Sequence, residues 1–181
     1  EQARTVECLR DVLYKVSTAL KGSSGGVDPE LEQLLMATHY ANLFNKCQTE
    51  GGRDMAELAT KISITLLRYN TVIPSDKVFY QAGMICKEQN QTNLAFVLLN
   101  RYVDLTEAIE EGDAGMIDNA DFSAATNVPF TDVLPKGQYL PEESEREGVR
   151  DWVLSVCMDA SVDAALPPEG QAQGTIYAGL Y

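Results

Sequence analysis

Apolar residues recur along the chain at the spacing of amphipathic α-helices, and residues that stop helices separate the runs. Asp28 and Pro29 suit the N-cap and first position of a helix, and Ser75 is predicted as another N-cap. Gly51 and Pro74 end the helices that precede them. The periodicity predicts helices at about residues 2–21, 29–50, 54–69, 75–89, 92–111 and 141–159. The predicted fold class is therefore all-α.

The second and fifth predicted helices contain more apolar residues than one packed face needs. In the second helix, one stripe includes Leu34 and Thr38, and a separate stripe includes Phe44 and Cys47. A helix that is apolar on two faces packs between neighbours on both sides. The fifth helix contains the apolar run 94–99, which is too short to span a membrane and is predicted to be buried.

The fourth and fifth helices match the spacing of tetratricopeptide repeats, which are helix–turn–helix units. In that pattern a small residue and an alanine lie 12 residues apart, as Gly83 and Ala95 do here. Phe79 takes the aromatic position, and Leu99 and Tyr102 take the bulky positions that follow the alanine. Such pairs stack into an α-solenoid. The pattern departs from the repeat at Cys86, where an aromatic residue is usual, so an ordinary helical bundle remains the alternative.

This pattern divides the chain into four segments. Residues 1–111 are predicted to form a tetratricopeptide-like helical-hairpin solenoid, and residues 112–140 a long extended linker that contains apolar residues. Residues 141–160 form a further C-terminal helix, and residues 161–181 a Gly/Pro-rich tail. Because the chain starts at Glu1, we expect it to be a piece of a longer protein.

Three aromatic residues of the C-terminal part are candidates for docking. Phe122 and Phe130 lie in the linker, and apolar residues at the linker's density usually pack. We expect both to anchor the linker on the preceding helices. The alternative is a tether whose aromatic residues serve another subunit. Trp152 lies on the apolar face of the last helix, as a core anchor or as a docking contact.

Charge and composition exclude some classes of partner. The chain has 181 residues and a net charge of −13. A chain this acidic repels phosphates, so nucleic acid is not expected as a partner. Residues 112–181 carry 3 basic and 12 acidic side chains, which favours solubility and leaves a surface for a basic partner as the alternative. No apolar run approaches the length of a membrane span.

Cysteine and histidine usage argues against metal and nucleophilic chemistry. The four cysteines are far apart without a C-x-x-C pair, and each lies in a helical run, where reduced cysteine acts as a small apolar residue. A reducing, cytoplasmic compartment is the natural expectation. His39, the one histidine, is expected to be a structural imidazole on its helix. Neither a phosphate-binding loop nor a dinucleotide fingerprint occurs, so no cofactor and no enzymatic activity are predicted.

Several segments together carry a family resemblance. They are residues 62–69, 73–74, 76–77, 95–97, 99–102, 117–118, 121–122, 129–130 and 149–154. From about residue 28 onward, the chain resembles the C-terminal region of the largest subunit of intraflagellar transport complex B. The resemblance implies a tetratricopeptide-like solenoid that precedes a small U-box-like module. Residues 161–181 would be the start of that module.

The resemblance implies a non-catalytic scaffold segment that binds other intraflagellar transport subunits. It also implies a role in cilium assembly and bidirectional ciliary transport, with a location in the cilium or flagellum and the basal body. The alternative is a part of a C-terminal module that binds ubiquitin or acts like a ubiquitin ligase. Titration of the chain with ubiquitin, followed by NMR, distinguishes the two. Ubiquitin would then be a partner through the module whose remainder this chain lacks.

Overall fold

Six α-helices make up most of the part of the chain that the computed structural model describes, which is residues 2–22, 28–50, 55–117 and 134–158. A 3₁₀ turn, Leu67–Tyr69, extends the third helix, and another, Ala114–Met116, follows the fifth. The helices pack in antiparallel pairs, so the all-α prediction is confirmed. They are α1 (Gln2–Lys21), α2 (Pro29–Glu50), α3 (Ala56–Leu66), α4 (Ser75–Glu88), α5 (Thr92–Glu111) and α6 (Glu143–Met158).

The helix ends follow local chemistry with one exception. Asp28 Oδ1 accepts a hydrogen bond from the backbone N–H of Glu30 at 3.0 Å, which confirms the predicted N-cap of α2. The prediction of Ser75 as an N-cap is wrong, because Ser75 is already helical and Pro74 is the cap residue. At the other end of α5, Gly112 has a φ of 70° and donates its N–H to the carbonyl of Ala108. Glycine reaches this left-handed conformation without a steric penalty.

The chain divides into two compact units, and the first is Glu1–Ile73. Its middle helix, α2, packs against α1 and also against α3, which confirms the two-faced packing predicted for it. Ala37 and Phe44 are almost fully buried on one face of α2. Thr38 and Asn42 are buried about 100° or more further around the helix.

The second unit is Pro74–Tyr181. Its centre is the α4·α5 pair, and α6 packs on α5. The core therefore consists of side chains from both helices of that pair and one face of α6. These side chains are Val78, Phe79, Ala82, Cys86, Ala95, Leu98, Leu99, Tyr102, Leu105, Ala108, Val149, Val153 and Val156.

Several predicted features lie outside the described residues. Phe122 and Phe130, the expected anchors of the linker, are among them, and so is the tail 161–181. The described start of the linker packs on α5 through the 3₁₀ turn, and Ile117 is buried there. Among the described helices, none is long and apolar enough to cross a membrane.

Candidate interaction surfaces

The residues named from the repeat pattern lie together in the α4·α5 pair. Phe79, Ala95, Leu99 and Tyr102 are all completely buried, and Gly83 is buried among them. A Cβ placed on Gly83 would lie 2.6 Å from Cγ and Cδ2 of Leu99 and 3.3 Å from its backbone nitrogen. The nearest neighbour of Gly83 is therefore Leu99, one helical turn beyond Ala95. The absence of a side chain at Gly83 lets α5 approach α4 this closely.

The end of the linker, residues 134–142, is held on this helix pair by a buried carboxylate. Asp76 has no exposed surface. Its Oδ2 accepts a hydrogen bond from the backbone N–H of Tyr139 at 2.7 Å, and its Oδ1 accepts one from that of Lys77 at 2.8 Å. The carboxylate lies in the first turn of α4, where the helix dipole favours negative charge. Asp76 thus joins the start of α4 to a residue 63 positions away.

Two further side chains tie residues 134–142 to α5. Gln138 Nε2 donates to the carbonyl oxygen of Thr106 and to Oε1 of Glu110, both at 3.1 Å. Arg146, in the first turns of α6, donates from Nη1 to the carbonyl oxygens of Leu140 and Pro141 at 2.9 and 2.8 Å. Its Nε lies 3.5 Å from Glu110 Oε1. We call Asp76, Glu110, Gln138, Tyr139 and Arg146 the polar clamp.

The ring of Tyr139 completes the polar clamp on its apolar side. Its centroid lies 5.7 Å from that of Tyr80, which in turn lies 5.3 Å from the ring of buried Tyr102. The Lys77 ammonium lies 5.7 Å from the Tyr139 centroid, within the range of a cation–π contact. The clamp therefore combines hydrogen bonds with aromatic packing, and it fixes the point from which α6 starts.

Burial raises the pKa of several titratable groups in this unit, and two of them bear on the clamp and the core. Burial raises the pKa of the Asp76 carboxyl above its ordinary value, although its hydrogen bonds with backbone N–H groups act in the opposite direction. Burial also raises the pKa of the Cys86 thiol to about 11. Cys86 therefore stays a neutral thiol near pH 7 and serves as a small core residue, since the thiolate is the reactive form.

Replacing Asp76 with alanine is expected to lower the free energy of unfolding by about 1–3 kcal/mol, because two backbone N–H groups lose their acceptor. Asp76→Asn keeps one acceptor oxygen, so we expect a smaller loss. Urea unfolding of both variants measures the difference. Equal losses in the two variants would contradict a role for Asp76 as an acceptor.

The same pair of variants has a pH signature. An acid whose pKa is higher in the folded state binds its proton more tightly there, so its contribution to stability falls as the pH rises through that window. The window begins near the unfolded pKa of about 3.9 and ends at the raised folded pKa. Lowering the pH toward about 4 should therefore favour wild type over Asp76→Asn in melting temperature. If wild type instead lost melting temperature relative to Asp76→Asn as the pH fell, the hydrogen bonds that lower the pKa of Asp76 would outweigh the burial that raises it.

The packing of α6 on α5 includes ion pairs at its edge. Arg150 Nη2 lies 3.4 Å from Glu107 Oε1, next to the Arg146–Glu110 pair. Trp152 is half-buried, and the Lys87 ammonium lies 4.8 Å from the centroid of its ring. Trp152 stays a predicted docking residue. Its buried part contributes to the packing of α6.

The first unit has an open cleft of about 460 Å³ between α1 and α2. Arg10 pairs with the neighbouring Asp11 at its edge. His39 is half-buried, and its ring forms an edge-to-face contact with the ring of Tyr40 at a centroid distance of 5.7 Å. The cleft is lined by Arg10, Asp11, Tyr14, Leu35, Met36 and His39. The described residues contain no group of three or more histidine, cysteine or carboxylate side chains that could hold a metal ion.

The four cysteines differ in exposure, and all of them are free thiols. Cys8 and Cys157 are exposed, whereas Cys47 and Cys86 are buried. We expect two thiols to react rapidly with a maleimide in the folded protein and all four to react in denaturant. Mass spectrometry of the labelled peptides identifies them. Rapid labelling of Cys86 in the folded protein would contradict its burial.

Sequence reasoning missed the polar clamp. Asp76 and Tyr139 are too far apart for a periodicity or spacing rule to connect them. The available signal was weak: an acid in the first turn of α4, and a glutamine–tyrosine pair in a segment that lacks regular structure. Neither feature distinguishes a buried contact from a solvated one.

Comparison with known proteins reveals strong similarity to one group. The chain is 41% identical to mouse "Intraflagellar transport protein 172 homolog" over 162 residues, which are 88% of this chain and 9% of that protein. It is 36% identical to "Intraflagellar transport protein 172" of Chlamydomonas reinhardtii over 165 residues, again 9% of that protein. This chain is homologous to a segment of intraflagellar transport protein 172. The resemblance seen in the sequence is thereby confirmed.

The homology extends across distant animals. Zebrafish "Intraflagellar transport protein 172 homolog" is 38% identical over 175 residues, which cover 95% of this chain and 10% of that protein. The chain thus spans about a tenth of the length of the curated relatives it matches. No protein family model matches the chain.

Proposed function

We propose that this chain is a non-catalytic scaffold segment that makes protein–protein contacts within an intraflagellar transport complex. Homology to intraflagellar transport protein 172 over most of the chain carries this proposal. The location that follows is the cilium or flagellum and the basal body. The role that follows is in cilium assembly and in transport in both directions along the cilium.

The structure supports a scaffold through its distribution of polar and apolar surface. The α4·α5 pair is closed by a fully buried core, and the polar clamp fixes the start of α6 on it. Exposed apolar side chains lie on the outer sides of the helices, where a partner can reach them, including Leu58 on α3 and Leu154 on α6. Rigid helix pairs with exposed apolar positions suit the binding of other proteins.

A pull-down with purified, reconstituted intraflagellar transport complexes tests this function. The tagged full-length chain is expected to retain other transport subunits. Two variants, Leu58→Asp and Leu154→Asp, each place a charge at an exposed apolar position in a different unit. The set of transport subunits that each variant retains is compared with that of wild type. Retention of no transport subunit by the folded wild-type chain would overturn the proposal.

A complementary test uses a ciliated cell. This chain replaces the homologous segment of the cell's own intraflagellar transport protein 172. We expect cilia of normal length, whereas deletion of the segment without replacement should shorten them. The ubiquitin alternative depends on residues 161–181, which lie outside the described part of the chain. Its test remains the NMR titration with ubiquitin.

A further inference from the structure

The outer side of α1 is an aliphatic surface that faces solvent. Leu9, Val12, Val16 and Leu20 are 44, 57, 43 and 38% exposed. At about 100° per residue, all four fall within an arc of about 80° on the helix. We call these four residues the α1 stripe. Half of the ten large apolar residues found exposed in the described part of the chain belong to α1.

The neighbouring side of α1 is already in use. Leu13 and Ser17 are 8 and 3% exposed, and α1 packs extensively only against α2 among the described helices. The α1 stripe is therefore not the face that joins α1 to its own unit. This surface is typical of a helix that another helix covers.

The charge beside the α1 stripe indicates what kind of helix covers it. Whereas the whole chain has a net charge of −13, α1 carries four basic and two acidic side chains. Its two acids are already paired, Asp11 with Arg10, and Glu7 with Lys46 at 2.9 Å.

The basic side chains next to the stripe are not neutralised in the same way. Arg4 and Lys15 make no ion pair with any residue whose side chain the structure describes, and both are exposed. They lie along one edge of the stripe, separated by about 16 Å along the helix axis.

We propose that the α1 stripe is a docking site for an amphipathic helix of a partner protein, with an aliphatic stripe edged by aspartate or glutamate. The aliphatic side chains would cover Leu9, Val12 and Val16, and the acids would lie against Arg4 and Lys15. Helix-in-groove recognition uses the same periodic anchors. The inference rests on the proposed scaffold function only where it identifies the partner as a transport subunit. The docking site itself is argued independently of that function.

Charge also argues against two other occupants. An anionic membrane would attract α1, but as an extended charged surface it would also repel the acidic remainder of the chain, because residues 74–181 carry 6 basic and 18 acidic side chains. A second copy of the chain would place the net positive charge of one α1 against that of another. Contacts between like charges oppose such self-association.

Binding of two designed peptides to the full chain tests the site. Each peptide has about 20 residues, with leucine at the a and d positions of a heptad repeat. One has glutamate at e and g, and its matched control has lysine there. Fluorescence anisotropy at low salt is expected to show the glutamate peptide binding at least about tenfold more tightly, and its affinity should fall as salt is added.

Variants of the α1 stripe identify the binding surface. We expect Val12→Asp to weaken binding of the glutamate peptide about tenfold or more, since a charge replaces an apolar contact. Lys15→Glu, which leaves the apolar contacts intact, should reduce the preference for the glutamate peptide. Met55→Asp is the matched control at an exposed apolar position directly before α3, and it should bind like wild type. Circular dichroism checks that all variants are folded.

Several results would overturn the proposal. They are equal affinity for the two peptides, unchanged binding by both Val12→Asp and Lys15→Glu, and cosedimentation of the chain with phosphatidylserine vesicles in preference to the peptide. Concentration-dependent dimerisation that Val12→Asp abolishes would also overturn it, in favour of self-association. The peptides contain no transport subunit. A failure of peptide binding therefore does not contradict the scaffold function, and a failure of the pull-down does not contradict the docking site.

Discussion

Phe79→Ala is expected to lower the free energy of unfolding by about 3–5 kcal/mol, the range for truncating a fully buried aromatic side chain. Phe79 has no exposed surface and lies on α4, in the core that α4 forms with α5. Removing the ring deletes apolar burial and leaves a cavity in the core of the α4·α5 pair. Thermal and urea unfolding of the full chain measure the effect.

Phe96→Ala is the matched control for this prediction. Phe96 lies on α5, in the same pair, but is only half-buried. The same atoms are removed, yet fewer contacts are lost, so we expect a clearly smaller destabilisation. If both variants lost the same stability, the placement of Phe79 at the centre of the pair would be wrong.

Gly83→Leu is expected to destabilise the protein by about 3 kcal/mol through overpacking. Even a Cβ at this position would overlap Cγ and Cδ2 of Leu99 at 2.6 Å. Leu99 cannot move aside easily, because it is fully buried and its backbone nitrogen would lie only 3.3 Å from the Cβ at position 83. The two helices would have to separate. The readouts are the melting temperature and the urea midpoint.

Alanine substitutions provide the control within the same chain. Gly148 lies in α6, and a Cβ there would meet nothing within 4 Å. Gly148→Ala should therefore stabilise the protein by about 0.5–1 kcal/mol, through the higher helix propensity of alanine. Gly83→Ala should destabilise it despite the same gain in propensity. Stabilisation by both substitutions would contradict the close approach of α4 and α5 at Gly83.

Local sequence was sufficient to predict the helices. The observed bounds of α1, α2 and α5 match the predicted ones, and α6 is shorter by two residues at its start. Apolar periodicity, capping residues and residues that stop helices act within a few positions of the chain, so they can be recognised in the sequence alone. The error at Ser75 amounts to one position, because Pro74 is the cap residue and Ser75 already belongs to the helix.

Pairing of the helices was partly predictable as well. The spacing of Gly83 and Ala95 indicated that α4 and α5 approach closely, and the two stripes of α2 indicated neighbours on both sides. Which side chain meets Gly83 depends on the rotation and offset of the two helices. Those depend on how the whole core packs, so the contact with Leu99 was not predicted.

The amino-acid sequence by itself determined the all-α class, the positions of the helices and the homology to intraflagellar transport protein 172. Only the tertiary structure showed the polar clamp and the α1 stripe. The clamp joins Asp76 to Tyr139 across 63 positions of chain, and no local rule connects residues so far apart. The α1 stripe is defined by which apolar residues α2 leaves uncovered. Burial depends on neighbours in space, and periodicity alone cannot distinguish a covered apolar residue from an exposed one.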